Sequence, residues 1–265
     1  MTRYLPAWMA LIVRAFISPG TYIGGQSSVY ERGVRARAWK AIRLIGLYII
    51  GIVLYSLPLT YAGIGASATE TDPHPVVTDA ATAVDWEPVE LWTFLNAFVE
   101  NSVFLIAGSV LVFGVVHAAV VLLRTSNGPL QTVHTVVYAT GVYLAAIYSI
   151  VWALSIVDSV EVADQIVLGV QSAFVNWVVG LTGAELELLG GTTAIPDVAA
   201  VTPTGRLLLV GLVVSILYFL YSIYMGVRIN HDGSRSVGFG AVVFVIASPA
   251  FYVVGSVTFA ILTNT

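Results

Sequence analysis

The sequence predicts an all-α fold: a polytopic integral membrane helix bundle with five transmembrane helices, an N-terminal interfacial helix and a further helix at the outer surface. Three observations carry this. Apolar residues make up 58% of the 265 positions and charged residues 10%, where a soluble domain carries about a quarter charged residues. Mean hydropathy is +0.90, too high for a core wrapped in a wetted surface. The apolar residues also come in unbroken runs rather than amphipathic stripes. Several runs are long enough to cross ~30 Å of hydrocarbon at ~1.5 Å per residue.

The elements follow in order. Residues 1–40 form a basic cytoplasmic segment, and residues 41–262 the membrane domain. Residues 5–17 are apolar but short, carry Trp8 and Phe16, and are interrupted by Arg14. Such a helix suits the membrane surface better than a crossing, and no clean cleavage site follows it. Ser18, Pro19 and Gly20 end it. A polar stretch with Arg32, Arg35, Arg37, Lys40 and Arg43 leads to span 1, about 44–64. An acidic loop, with Glu70, Asp72, Asp79, Asp85, Glu87 and Glu90, contains no Lys or Arg.

Span 2 covers about 103–123, its helix beginning earlier, near Pro88. Arg124 closes it, and Asn127, Gly128 and Pro129 make a short turn. Span 3 is about 133–157. Residues 160–181 are apolar but studded with Asp164, Gln165, Gln171 and Asn176. They read as the outer-surface helix, with a sixth span as the alternative. An acidic loop with Glu185, Glu187 and Asp197 precedes span 4, about 207–227. Span 5 is about 237–262, and Pro249 should kink it by removing one backbone bond.

Orientation follows from basic residues in short loops. Seven of the eleven stand in the N-terminal segment. Arg124, Arg228 and Arg235 stand after spans 2 and 4, and Arg206 alone stands on the other side. Five spans gather the basic regions on one face, which places the N-terminus in the cytoplasm and the C-terminus outside the cell membrane. Ten of the eleven basic residues are Arg, and the outer loops are acidic. With abundant Ala, Val and Gly, this pattern suggests a halophilic archaeon as the source.

Much chemistry is excluded. The absence of cysteine removes disulfides, iron–sulfur clusters and thiol catalysis. Four scattered histidines leave little basis for a metal site, no phosphate-binding glycine loop or nucleic-acid signature occurs, and no cofactor is expected. The candidate functional residues are polar side chains within or beside the spans. Glu100, with Asn101, lies at the outer end of span 2, where a carboxylate near hydrocarbon is costly; its simpler role is to mark the water boundary. His117 and His134 lie on spans 2 and 3 across a short turn and could face each other, as a proton relay or, more simply, as interhelical hydrogen-bonding partners. Tyr218, Tyr221 and Tyr224 recur at i, i+3 and i+6 on span 4, and span 3 carries Tyr138, Tyr143 and Tyr148; they read as a polar-lined path or lipid site or, more simply, as helix packing with hydroxyls bonded across the bundle. Arg228 ends span 4. His231, Asp232, Ser234 and Arg235 stand too close together on one loop to orient as a triad, and read as a solvated turn.

Three segments resemble the Yip-domain proteins, a five-span membrane family named for interaction with Rab-type GTPases in eukaryotes. They are Ile17-Ser18-Pro19-Gly20-Thr21-Tyr22 ahead of span 1, and Thr132-Val133-His134-Thr135-Val136-Val137-Tyr138-Ala139 at the start of span 3. The third is Tyr221-Ser222-Ile223-Tyr224-Met225-Gly226-Val227-Arg228 with His231-Asp232-Gly233-Ser234-Arg235, between the last two spans. The likeness covers about residues 12–262 in span order; Thr140-Gly141-Val142 stands where the family usually has a proline. It implies five spans, an inside N-terminus, an outside C-terminus and no enzymatic activity. The function it implies is organising membrane or recruiting membrane or cytoplasmic protein partners among membrane lipids. A small transporter or permeation component is the alternative. It is motivated by the tyrosines, Glu100 and Pro249, and disfavoured by the lack of charge in the span centres.

Overall fold

A computed structural model describes residues 33–64, 73–83, 85–157, 159 and 201–263, and singly 20, 162, 165, 169 and 173. The predicted interfacial helix, the 160–181 helix as a whole and the acidic 182–200 loop lie outside the described residues. The described part is all-helical: α1 Val34–Tyr61, α2 Pro75–Ala83, α3 Pro88–Leu122, α4 Pro129–Ile156, α5 Pro203–Asn230 and α6 Arg235–Thr263.

Local chemistry sets the helix limits. Four of the helices begin with proline, whose missing N–H falls where no intrahelical acceptor exists. Thr202 caps α5, its hydroxyl accepting from Gly205 N at 3.1 Å. α1 and α3 end alike. Ile64 N donates to Leu59 O at 3.1 Å and Gly63 N to Thr60 O at 3.0 Å; Thr125 N donates to Val120 O at 2.9 Å and Arg124 N to Val121 O at 3.0 Å. That paired pattern calls for a left-handed residue after the helix. Gly63 supplies it without strain at φ 77°, whereas Arg124 adopts φ 57° with a side chain attached.

α1, α3, α4 and α5 are long and apolar enough to cross a membrane, by length and composition. Their outward faces carry large apolar side chains, among them Ile45, Ile49, Val103, Phe104, Leu207 and Val210. A soluble helix would turn such residues inward, so this exterior fits lipid as the solvent. α6 continues through Pro249 to Thr263.

The helices form a ring in the order α1, α4, α5, α6, α3, each touching the next and α3 returning to α1. The main core lies where α3, α4, α5 and α6 meet: Val116, Ala119, Val120, Ala139, Ile223, Val227 and Ala241, all fully buried. Alanine at three of these contacts lets the backbones approach, as membrane bundles require. Gly238 on α6 serves the same end. A Cβ there would stand 2.7 Å from Tyr224 Cδ2 and 2.9 Å from Arg228 Cγ.

The helices differ from expectation at two places. α1 starts at Val34, about ten residues before the apolar run, so the basic stretch from Arg35 to Arg43 is helical. Arg and Lys are good helix formers and need no hydrocarbon to adopt that state. α2 stands in a segment expected to be loop. Pro75 opens it, and the alanine-rich run after it favours helix.

Candidate functional site

At one end of the bundle two interhelical turns lie side by side. The first, residues 123–128, joins α3 to α4 and leaves through Gly128 at φ 120°. The second, residues 231–234, joins α5 to α6 and contains Asp232 at φ 50°, a conformation that Asp tolerates better than most residues. Asn127 ties them. Its Nδ2 donates to Asn230 O at 3.1 Å and to Asp232 Oδ2 at 3.2 Å, and its backbone N–H donates to His231 Nδ1 at 3.1 Å.

From His231 the bonding continues into the bundle. His231 Nε2 lies 3.2 Å from Thr132 Oγ1, which lies 3.0 Å from His117 Nδ1. The protons can be placed. A backbone N–H can only donate, so His231 Nδ1 is an acceptor and the ring is neutral with its proton on Nε2. That proton is donated to Thr132 Oγ1. The Thr132 hydroxyl, with one hydrogen to give, donates to His117 Nδ1. The result is a directional chain from the α3–α4 turn through the α5–α6 turn and α4 to α3. His231 is 2% exposed. Burial and the neighbouring His117 push its pKa down to about 4, with Asp232 opposing them. A proton on Nδ1 would confront the Asn127 N–H, so protonation and the bond between the turns exclude each other.

A second set of contacts flanks this chain. Asn230 Nδ2 donates to Thr135 Oγ1 at 2.9 Å, and Thr135 passes its own hydrogen to Gln131 O at 3.0 Å. His134 is fully buried and meets the Tyr138 ring edge-on, centroids 4.7 Å apart. Lys40 Nζ sits 4.8 Å above the Tyr138 ring. Arg228 stacks over Tyr224 at 5.4 Å and donates from a guanidinium nitrogen to the Tyr224 hydroxyl at 3.4 Å. Gly20 also reaches this end: a Cβ there would lie 2.8 Å from Met225 Cε and 3.5 Å from Ile229 Cδ1. Gly20 and the end of α5 are thus neighbours in space.

The expected residues divide accordingly. His117, His134, Tyr138, Tyr224 and Arg228 lie at this end. His117 bonds to Thr132, and His134 packs on Tyr138. Tyr221 continues an aromatic ladder along α5, 6.3 Å from both Tyr218 and Tyr224, with Tyr143 5.8 Å from Tyr218. Tyr218 and Tyr221 are exposed on the outer face. Glu100 is exposed on α3, in the half of the bundle away from this end. Its neighbour Asn101 is buried and donates to Thr60 Oγ1 at 3.1 Å and Ile64 O at 2.9 Å, fixing α3 to the end of α1.

Two features were not read from the sequence. The 231–235 turn is not wholly solvated: Asp232, Ser234 and Arg235 are exposed, but His231 is buried, because its partners come from residues about a hundred positions away. Nothing local marked it. Tyr55 donates to Gly141 O at 2.9 Å, tying α1 to α4. Among the described residues no group of three or more His, Cys, Asp or Glu side chains could hold a metal ion. The arrangement can pass or withhold protons and can lock helices; the Thr132 hydroxyl that bonds to His117 is fully buried.

No protein-family model matches the chain, and no curated protein or solved structure does either. The likeness to Yip-domain proteins rests on the three segments alone.

Proposed function

We propose that the chain is a non-enzymatic, Yip-like integral membrane protein that organises membrane or recruits protein partners at its cytoplasmic face. In this account it spans the cell membrane of a halophilic archaeon five times, with α6 as the fifth span. The observation that carries the proposal is the bonded pair of turns. Asn127, Asn230, His231 and Asp232 hold two loops from opposite parts of the sequence in one fixed arrangement, with Arg124 and Arg235 exposed beside them. A docking surface gains from such pre-organisation, because less freedom is lost on binding. Asn101, Tyr55 and Asn230 donate to partners on neighbouring helices rather than opening toward a passage. Two tyrosines of the ladder, Tyr218 and Tyr221, lie on the outer face.

The test is cross-linking in native membranes followed by purification, for the wild type and for Arg124→Gln/Arg235→Gln. The proposal expects a stoichiometric partner that the double variant loses. Substrate or ion flux in liposomes containing only the purified chain would instead establish the transporter. Loss of the folded state on transfer to low salt would support the halophilic origin, and indifference to salt would count against it.

A further inference from the structure

At the end of the bundle opposite the paired turns, four aromatic rings meet in a row. Tyr61, at the end of α1, lies 5.6 Å from Phe94 on α3 and 5.5 Å from Trp152 near the end of α4, between ring centroids. Trp86, in the turn before α3, lies 5.9 Å from Phe94. Three helices and one turn thus converge on one spot. Rings that only anchor helices at a membrane surface form a belt around the bundle. These rings face one another instead, tilted by 35°, 54° and 58°, so they do not stack flat and their faces stay open. Tyr61 is 57% exposed, Trp86 45% and Trp152 40%.

The negative face of an aromatic ring attracts cations, and the surroundings carry the same sign. Residues 65–90 contain six carboxylates and no Lys or Arg. α3 itself places one of them beside the rings. Glu90 stands four residues before Phe94, on the same helix face and about 6 Å further out along the axis. Glu87, the residue before α3, follows one turn beyond. Both are exposed. Ring faces next to carboxylates favour one kind of cation. A metal ion or a primary ammonium holds its water tightly and gains little from an exposed ring. A quaternary ammonium spreads its charge over its methyl groups, sheds water readily and touches several rings at once.

We propose that this aromatic row is a binding site for a quaternary ammonium group, centred on Tyr61 between Phe94 and Trp152, with Glu90 supplying the opposite charge. The site lies at the other end of the bundle from the paired turns and does not depend on the partner proposed for them. The ammonium belongs either to a free solute or to a choline lipid headgroup, and the test separates these sources.

The experiment titrates the full chain, in uncharged maltoside micelles, with choline, and follows saturation transfer to the choline methyl protons by nuclear magnetic resonance. Choline should give a saturable signal at roughly millimolar concentration, and its uncharged isostere 3,3-dimethylbutanol much less. Tyr61→Leu should weaken choline binding about threefold, the worth of one exposed cation–π contact. Glu90→Gln should weaken it by about as much. Trp39→Leu should leave it unchanged, because that ring is equally exposed but stands at the other end of α1. The titration is then repeated in phosphatidylcholine and in phosphatidylglycerol bilayers. A choline signal lost only in phosphatidylcholine assigns the site to the headgroup, and a signal kept in both assigns it to a free solute. Equal signals from choline and the uncharged isostere would overturn the proposal, as would equal effects of the Tyr61 and Trp39 variants. Should Tyr61→Leu fail to fold, the isostere comparison on the wild type and the exposed Glu90→Gln variant still decide the matter.

Discussion

Thr132→Val tests the buried chain most sharply. Valine keeps the shape of the side chain and removes only its hydroxyl, so packing at this fully buried position is retained. Two hydrogen bonds are lost, at 3.0 Å to His117 and 3.2 Å to His231. The losses are unequal. His117 is half-buried and loses only a donor to the Nδ1 lone pair, so that loss costs about 0.5 kcal/mol. His231 is 2% exposed, and its Nε2–H would remain inside without an acceptor. An unsatisfied buried donor costs about 1–3 kcal/mol. The sum is about 2 kcal/mol, roughly a thirtyfold fall in the folded-to-unfolded ratio. Reversible unfolding in mixed micelles on a denaturing-detergent gradient, followed by far-ultraviolet circular dichroism, measures it. Thr132→Ser should recover more than half of the loss. A Thr132→Val protein within about 0.5 kcal/mol of the wild type, the scale of an ordinary surface change, would refute the reasoning.

Further outcomes follow from the same geometry. His231 has its pKa depressed to about 4 from an ordinary 6.5, so between those values the unfolded chain binds the extra proton. Its contribution to stability is therefore complete above pH 6.5 and falls away as pH drops toward 4; the stability difference between wild type and His231→Gln, measured across that window, should shrink accordingly. Gly238→Ala should destabilise by about 1–3 kcal/mol, because the new methyl meets Tyr224 and Arg228 at under 3 Å, and a thermal melt in detergent will register it. Arg124→Gly should stabilise by about 1 kcal/mol, since Arg124 occupies a left-handed position that glycine adopts freely; a lowered unfolding midpoint would contradict it.

What the sequence disclosed, and what it concealed, divides along physical lines. A membrane helix must satisfy its own backbone and face lipid with apolar side chains, so its signal is local and continuous. Hence α3, α4 and α5 appear where the apolar runs place them, with limits marked by Pro88, Pro129 and Pro203. Where hydrocarbon is not the determinant, hydropathy is silent: the first turns of α1 and all of α2 depend on propensity and on Pro75. The candidate site was half legible. His117, His134 and Arg228 stand out because ionisable groups beside hydrocarbon are rare. His231 did not, because its burial depends on Asn127 and Thr132, far away in sequence. Asn127 itself looked like an ordinary turn residue, and only the meeting of the two turns gives it a role.

The central claim is that the 123–128 and 231–234 turns stand together on the cytoplasmic side. The chain has no cysteine, so single cysteines at the exposed positions Ser126, Ser234 and Thr82 can be probed in intact cells with a membrane-impermeant thiol reagent. The account predicts that Thr82→Cys reacts in intact cells, while Ser126→Cys and Ser234→Cys react only after lysis. Ser126→Cys and Ser234→Cys reacting from opposite sides, or both from outside, would contradict it.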